Sequence, residues 1–367
     1  MRVGVPLRLP DRVSPLPGSS AVQSGGIGAS GLEEPSILST LVLPALNLED
    51  LPDKVKWSRE ELQSALKGIS LIPHTQLTVG EALGKGTYAM VYRGVRRVKR
   101  KSVPVAVKRL HELPVEQLAA FSPRAQKELH CAVSRKFFDE MKMLAKARHA
   151  SIVALHGLCI TADLSLALVM DLMERSLFDE LHPGGDYHAE LIDPLPLARV
   201  VDIARACARG LAFLHDNLRV AHRDIKSLNI LLAKDGAAKI SDFGLSREVL
   251  TAAPMTRAGS LLWAAPELLK GLKYDTSCDQ WSFAVVIWEM LTGQMPYKGM
   301  RSGDIAREVA LGTHRLPLPS RGPKPLLRIM ALCFNGQPEG RPKFREIVSS
   351  LDAVANKLAQ ATDSAKS

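Results

Sequence analysis

The sequence predicts an α+β fold: strand patterns come first, helical patterns follow, and the length can hold one large two-lobed domain or two ordinary ones. The strand signal is apolar residues on both sides of a glycine-containing turn. Leu77, Val79 and Leu83 precede the turn, Val91, Tyr92 and Val95 follow it, and the apolar run Val103-Pro104-Val105-Ala106-Val107 comes next. The helical signal is Phe137, Met141 and Leu144, apolar positions four and three residues apart. At 367 residues and 46% apolar composition the chain can build a sizeable core. Aromatic residues make up only 5%, so Leu, Val, Ala and Ile must fill most of it.

Charge and cysteine usage narrow the function classes. The formal net charge is +10, yet residues 1–70 hold seven Lys and Arg against eight Asp and Glu, so the basic excess lies in the remainder. Such an excess suits a domain that binds a polyanionic nucleotide or acidic substrates, and by itself makes no case for nucleic acid. Cys131, Cys159, Cys207, Cys278 and Cys333 are odd in number, scattered and without a C-x-x-C pair. This argues against a disulfide framework or zinc site and for a reducing, cytoplasmic location. The longest apolar stretch, 37–48, is interrupted by Pro44, so no membrane span is expected.

Residues 1–50 are rich in Gly, Ser and Pro and have no sustained period, which predicts a disordered tail. Arg2, Arg8 and Arg12 with a single acid, Asp11, give its start a faint transit-peptide character. Residues 51–76 are expected to form a linker with a short helix from Trp57 to Leu66, with Ser58 as N-cap and Glu61 at the capping-box position. The ordered domain is expected over 77–358, with a short tail at 359–367.

The chemistry begins in the first turn, Leu83-Gly84-Lys85-Gly86-Thr87-Tyr88-Ala89-Met90-Val91. Glycines let a backbone fold close over phosphates and aim N–H groups at them. G-x-G alone is a weak signal, and Ala89 stands where a third glycine would complete G-x-G-x-x-G. Lys108 ends the next strand, 22 positions after Gly86. Glu140 lies beside the inward stripe of the following helix, and Asp139 is the competing acid. Between Lys108 and Glu140 lie 31 residues, long enough for a longer version of the helix that carries Glu140 or for an added helix, with Ser122-Pro123 as a helix start and His111 to Phe121 as a loop. The most specific run is Ala221-His222-Arg223-Asp224-Ile225-Lys226-Ser227-Leu228-Asn229, and Asp242-Phe243-Gly244 follows it. Ala264-Ala265-Pro266-Glu267, Asp279-Gln280-Trp281-Ser282-Phe283-Ala284 and Pro338-Glu339-Gly340-Arg341-Pro342 complete the series.

In this order the motifs resemble those of eukaryotic protein kinases: V-A-I-K, H-R-D-x-K-x-x-N, D-F-G, A-P-E, D-x-W-S-F-G and a late R-P. The resemblance covers about three quarters of the chain. It implies a bilobal fold with a small β-rich N-lobe carrying the αC helix (77–169), a hinge (170–173) and a larger, mainly helical C-lobe (174–358). It also implies ATP and Mg²⁺ as cofactors. By the same resemblance Lys108 grips the α- and β-phosphates, Glu140 holds Lys108, Asp224 accepts the hydroxyl proton and Lys226 adds positive charge. Asn229 and Asp242 are the implied Mg²⁺ ligands. Leu83, Gly84, Lys85 and Gly86 cover the nucleotide. Val91 and Ala106 roof the adenine, Leu231 floors it, Asp171 and Met173 bind its edge through their backbone, and Met170 is the gatekeeper. Glu267 is expected to pair with Arg341, and Asp279 to fasten the catalytic loop.

Ser227 after Lys226, Gly259-Ser260 before Leu261, and the W-x-A-P-E context resemble the tyrosine-kinase-like branch, which includes mixed-lineage and Raf-type kinases. This implies Ser/Thr acceptors on protein substrates, with dual specificity left open. Retention of Lys108, Asp224 and Asp242 speaks against the rival reading, a pseudokinase scaffold. Arg223 before Asp224 points to activation by phosphate in segment 242–267, at Thr256 ahead of Thr251, with Ser260 expected beside Asp224 instead. The basic run Arg96-Arg97-Val98-Lys99-Arg100-Lys101 reads as solvated charge at a hairpin tip, with a nuclear-localisation or nucleic-acid role as alternatives.

Overall fold

The computed structural model describes residues 66, 68–85, 89–110, 136–161, 165–183, 193–243, 247–248 and 258–364. The N-terminal tail, the helix expected at Trp57–Leu66 except Leu66 itself, and the insertion at 111–135 lie outside the described residues. So do Gly86, Thr251 and Thr256.

Period-2 patterning in the first part of the domain builds five strands: β1 (Leu77–Lys85), β2 (Ala89–Val98), β3 (Lys101–Leu110), β4 (Leu155–Ile160) and β5 (Leu166–Asp171). They form one antiparallel sheet in the order β1-β2-β3-β5-β4. Lys99 and Arg100 make the two-residue turn between β2 and β3. Lys99 takes φ 54°, the left-handed geometry that matches a tight hairpin to the strand twist. Arg97, Lys99, Arg100 and Lys101 are exposed at this tip, as solvated charges should be.

Alternation assigns the two faces. Val105 and Val107 join Ile72, Cys159, Ala167 and Val169 in a small apolar cluster on one side. On the other side lies the helix α1 (136–146), whose Phe137, Phe138, Met141 and Leu144 enter the main core. The segment before β1 runs alongside β4, with Leu71 bridged to Leu158. Gly157 has φ 157°, and a Cβ there would overlap the Ser70 carbonyl oxygen, so only glycine admits this close approach.

The second lobe opens with β6 (Arg175–Ser176), α2 (Leu177–Leu181) and α3 (Leu197–Phe213). Short ladders follow: β7 (Val220–Ala221), β8 (Ile230–Leu232), β9 (Ala238–Ile240) and β10 (Arg247–Glu248), ordered β6-β8-β9 and β10-β7. Next come α4 (Pro266–Leu269), α5 (Cys278–Thr292), α6 (Ser302–Leu311), α7 (Lys324–Cys333) and α8 (Phe344–Ser364). α5 is buried at every position from Cys278 to Leu291, so it is the axis on which the lobe is built. Cys159, Cys207, Cys278 and Cys333 are buried and unbridged. No helix among the described residues is long and apolar enough to cross a membrane.

The pair expected between Glu267 and Arg341 is present and bidentate, at 2.7 and 2.9 Å. Arg341 also donates to the carbonyls of Ser277 (2.8 Å) and Asn335 (2.9 Å), and its guanidinium lies over Trp281. Removing one partner of a buried pair strands the other charge, so Arg341→Met is expected to cost about 3–5 kcal/mol in chemical unfolding. By contrast, Glu81→Gln at the exposed Arg93–Glu81 contact should cost about 1 kcal/mol or less.

Candidate active site

The site is assembled outward from one buried carboxylate. Asp279, in the first turn of α5, accepts hydrogen bonds from the backbone N–H groups of His222 (2.7 Å) and Arg223 (2.8 Å) and pairs with the His215 ring (2.8 Å). Burial alone would raise its pKa, but these partners outweigh burial and hold it below the usual carboxylate range. The loop after β7 is thereby pinned at two consecutive amides. Arg223 takes φ 69°, a strained conformation for a side chain of its size that persists because its surroundings impose it.

Asp224 follows, almost fully buried. Lys226 Nζ donates to both of its carboxylate oxygens at 3.0 and 2.8 Å. The Asn229 amide donates to the Asp224 carbonyl (2.8 Å) and to Oδ2 (3.0 Å). These donors fix the direction of the carboxylate. They also orient Asn229, because its NH₂ is engaged and its amide oxygen is left to bind a ligand.

The next link brings in Asp242. Ser241 donates to the Asn229 carbonyl through its backbone N–H (2.9 Å) and its hydroxyl (3.0 Å), while the His222 ring meets the Ser241 carbonyl at 3.0 Å. Phe243 is buried against the His222 ring, with centroids 5.0 Å apart. With the residues on both sides held, Asp242 takes φ 60°, and its carboxylate, one-third exposed, comes 3.9 Å from Lys108 Nζ.

Lys108 closes the site from β3. Its Nζ donates to both carboxylate oxygens of Glu140, at 2.5 and 2.7 Å. Glu140 is buried beside Met141 and Asp139 is exposed, as the apolar stripe of α1 requires. Residues separated by 134 positions, Lys108 and Asp242, thus share one polar cleft.

The residues expected around a purine fall on neighbouring strands. Val91 stands opposite Lys108, Ala106 opposite Met170, and Leu231 lies on β8. Leu83 and Lys85 are exposed on β1 with Gly84 between them, and half-buried Met173 follows β5. Asp171 is the surprise. The sequence singled out its backbone, yet its side chain is the more heavily engaged part, bound to His156, Lys239 and the Ala154 N–H.

A second group was also missed. Glu289, buried on α5, accepts from Ser227 Oγ (2.9 Å) and Trp263 Nε1 (2.8 Å) and lies 3.3 Å from the His182 ring. Here burial wins over the hydrogen bonds and pushes the carboxyl pKa up. Its sequence signal was an acid inside the apolar run 285–291.

The family model described as protein tyrosine and serine/threonine kinase matches residues 77–351. The chain belongs to this protein kinase family. The kinase is similar to the human protein named mitogen-activated protein kinase kinase kinase 11, with 33% identity over 290 residues, 76% of this chain and 31% of that protein. It is 32% identical over 293 residues to human mitogen-activated protein kinase kinase kinase 10, covering 77% of this chain and 28% of the relative. A probable serine/threonine-protein kinase of Dictyostelium discoideum is 32% identical over 285 residues, 77% of this chain and 28% of that protein. The chain spans under a third of the length of these relatives.

The family uses ATP and typically Mg²⁺. The oxygens of Asn229 and Asp242 fit a hard, oxygen-seeking cation. Among the described residues no group of three or more His, Cys, Asp or Glu could hold a metal by itself. An ion bound here would therefore depend on substrate oxygens as well.

The geometry separates turnover from binding. Asp224→Asn is expected to remove nearly all phosphoryl transfer while Mg²⁺-ATP affinity, read by calorimetry, stays near that of the parent. Lys108→Met should abolish turnover, Glu140→Gln should lower it less, and Asp139→Asn should leave steady-state rates unchanged. An inactive Asp139→Asn with an active Glu140→Gln would reverse the assignment.

Proposed function

We propose that this domain transfers the γ-phosphate of ATP to serine or threonine hydroxyls of protein substrates. The observation that carries this reading is the convergence of the Lys108–Glu140 pair, the braced Asp224 and the Asn229–Asp242 oxygens in one cleft. Phosphoryl transfer needs little covalent help from a protein; it needs positioning and charge. Lys108, steadied by Glu140, holds the α- and β-phosphates. Asp224 orients the acceptor hydroxyl and takes its proton as the oxygen bonds to the γ-phosphorus and the bond to the ADP oxygen breaks. Lys226, beside Asp224, offsets negative charge building on the transferred group. Mg²⁺ held by Asn229 and Asp242 would supply further neutralisation of the phosphates. Val91, Ala106, Met170 and Leu231 enclose the adenine, with Asp171 and Met173 meeting its edge through backbone groups and Gly84 and Gly86 covering the phosphates.

The serine/threonine choice rests on Ser227, Ser260 and Trp263 in their motif contexts and on the names of the relatives. Those names place the relatives above a kinase cascade, so protein kinases are the first substrates to test. The scaffold reading has no specific observation in its favour. A peptide array with Mg²⁺-ATP should label Ser and Thr peptides and leave Tyr peptides blank. Labelling of Tyr peptides alone would overturn the acceptor assignment, and no labelling at all would favour the scaffold.

Activation by phosphate belongs to the same proposal. The Arg223 guanidinium lies over the Tyr274 ring at 4.6 Å, and Thr256 belongs by sequence to the 242–267 stretch that the kinase resemblance assigns to activation. A phosphoryl group brings about −1.5 to −2 charge at pH 7 and can order a loop by pairing with arginine. Phosphatase treatment should therefore lower activity about tenfold or more, and Thr256→Ala should reproduce the loss. Full activity of the Thr256→Ala variant would remove Thr256 as the switch.

A further inference from the structure

Five cations crowd the turn between β2 and β3 with no acid to answer them. Arg96, Arg97, Lys99, Arg100 and Lys101 fall within six positions, and the sequence from Ala82 to His111 contains no Asp or Glu. Among the described residues none of the five makes an ion pair, whereas Arg93, further back on β2, is held by Glu81 at 3.1 Å. Arg96 Nε is buried with no hydrogen-bond acceptor among the described residues. Lys99 takes φ 54°, a conformation that glycine or asparagine enters at less cost, so the chain keeps a cation at the apex against its backbone preference.

The shape of the sheet brings this turn forward. β1 accompanies β2 only as far as Arg96, opposite Leu77, and β5 accompanies β3 only from Val105, opposite Asp171. Residues 97–104 therefore project past both neighbouring strands as a two-stranded ribbon. Register across the ribbon is unbroken, with Arg96 opposite Val103 and Val98 opposite Lys101. Directly opposed residues point to the same side of a sheet, and so do residues two apart. Arg96, Val98, Lys101 and Val103 thus share one face, continuous with Val105 and Val107 of the small apolar cluster. Val91, Ala106 and Lys108 occupy the opposite face, the one turned to the nucleotide cleft. Val98, Lys99, Arg100, Lys101 and Val103 are all exposed.

We propose that this face of the β2–β3 hairpin docks on a membrane surface that carries anionic phospholipids. Each Lys or Arg close to such a surface contributes about fivefold to the binding constant, so five of them supply on the order of a thousandfold. Val98 and Val103 are the second argument. Set among the cations, they lose water on entering the headgroup region, a gain that phosphates and base pairs would not offer them. The ribbon also lacks what nucleic-acid readers use. Residues 93–103 contain no Asn or Gln for base edges and no Phe, Tyr or Trp for stacking. Because the docking face is turned away from the cleft, a docked domain keeps its nucleotide site open. The inference is independent of the phosphoryl-transfer reading.

The test is sedimentation of the full chain with vesicles of phosphatidylcholine and phosphatidylserine in equal parts, beside vesicles of phosphatidylcholine alone. The parent should bind the mixed vesicles at least about tenfold more tightly. Raising the salt from about 0.1 to about 1 M, which shortens the screening length from about 10 to about 3 Å, should release it. Arg96→Gln, Arg97→Gln, Lys99→Gln, Arg100→Gln and Lys101→Gln together should weaken binding about a hundredfold or more. Val98→Ser with Val103→Ser should weaken it about threefold or more with every charge retained. Thermal unfolding checks that each variant is folded. If the five-residue variant is not, Arg100→Glu alone replaces it and should cost about tenfold or more. No preference of the parent for the mixed vesicles, or binding that survives the loss of charge, overturns the proposal. An unchanged valine variant overturns the assignment of this face. A duplex oligonucleotide held more tightly than the mixed vesicles at the same salt would give the tip to nucleic acid and overturn the membrane as its partner.

Discussion

The site depends on Asp279 more than on any residue that would touch substrate. A charged group with no exposure to solvent is costly unless its lone pairs are filled, and here two backbone amides and an imidazole fill them. α5, which carries Asp279, is buried along its length, so the carboxylate cannot move without the core of the lobe. That rigidity passes to His222 and Arg223, then through Asn229 and Ser241 to Asp242, and across the cleft to Lys108. The steps as far as Ser241 are hydrogen bonds of about 3 Å, and the last, from Asp242 to Lys108, is an ion pair at 3.9 Å. This is the support a phosphoryl-transfer site requires when its contribution is mainly preorganised charge.

The same helix carries a second buried acid with the opposite electrostatic outcome. Asp279 receives enough donors to remain ionised below the normal range, whereas the donors to Glu289 fall short of its desolvation and its carboxyl is pushed up. The difference lies in the donors. Asp279 pairs with the His215 ring, has His222 nearby and accepts from two fixed amides, whereas Glu289 faces side chains from three separate segments. One acid anchors backbone, and the other ties Ser227 to Trp263 across the region between catalytic loop and A-P-E motif.

Much of the fold and the polar site was legible because the relevant signals are local. Glycine and apolar alternation located the β1–β2 hairpin, and the stripe Phe137, Met141, Leu144 chose Glu140 over Asp139. The run from His222 to Asn229 holds a proton acceptor, a cation and an amide within six positions. What stayed hidden depends on contacts between distant parts of the chain. Lys239 alternates with Ala238 and Ile240 as any strand lysine at a surface would, and its partner lies 68 positions earlier. The donors to Glu289 lie up to 107 positions away. No period or motif encodes such pairings. The only clue was a carboxylate standing in the otherwise apolar run 285–291.

The cysteines have a consequence for chemical reactivity. Burial pushes the Cys159 thiol up to about 11 and the Cys207 and Cys333 thiols to about 12, while Cys278, next to Asp279, is raised as well. Only the thiolate attacks electrophiles or peroxide, and at neutral pH these four sulfurs hold a vanishing fraction of it. The described part of the kinase therefore carries no warhead-ready sulfur. A covalent inhibitor directed at this cleft could not rely on these four thiols, and oxidants that act through thiolates would meet little of one at these positions.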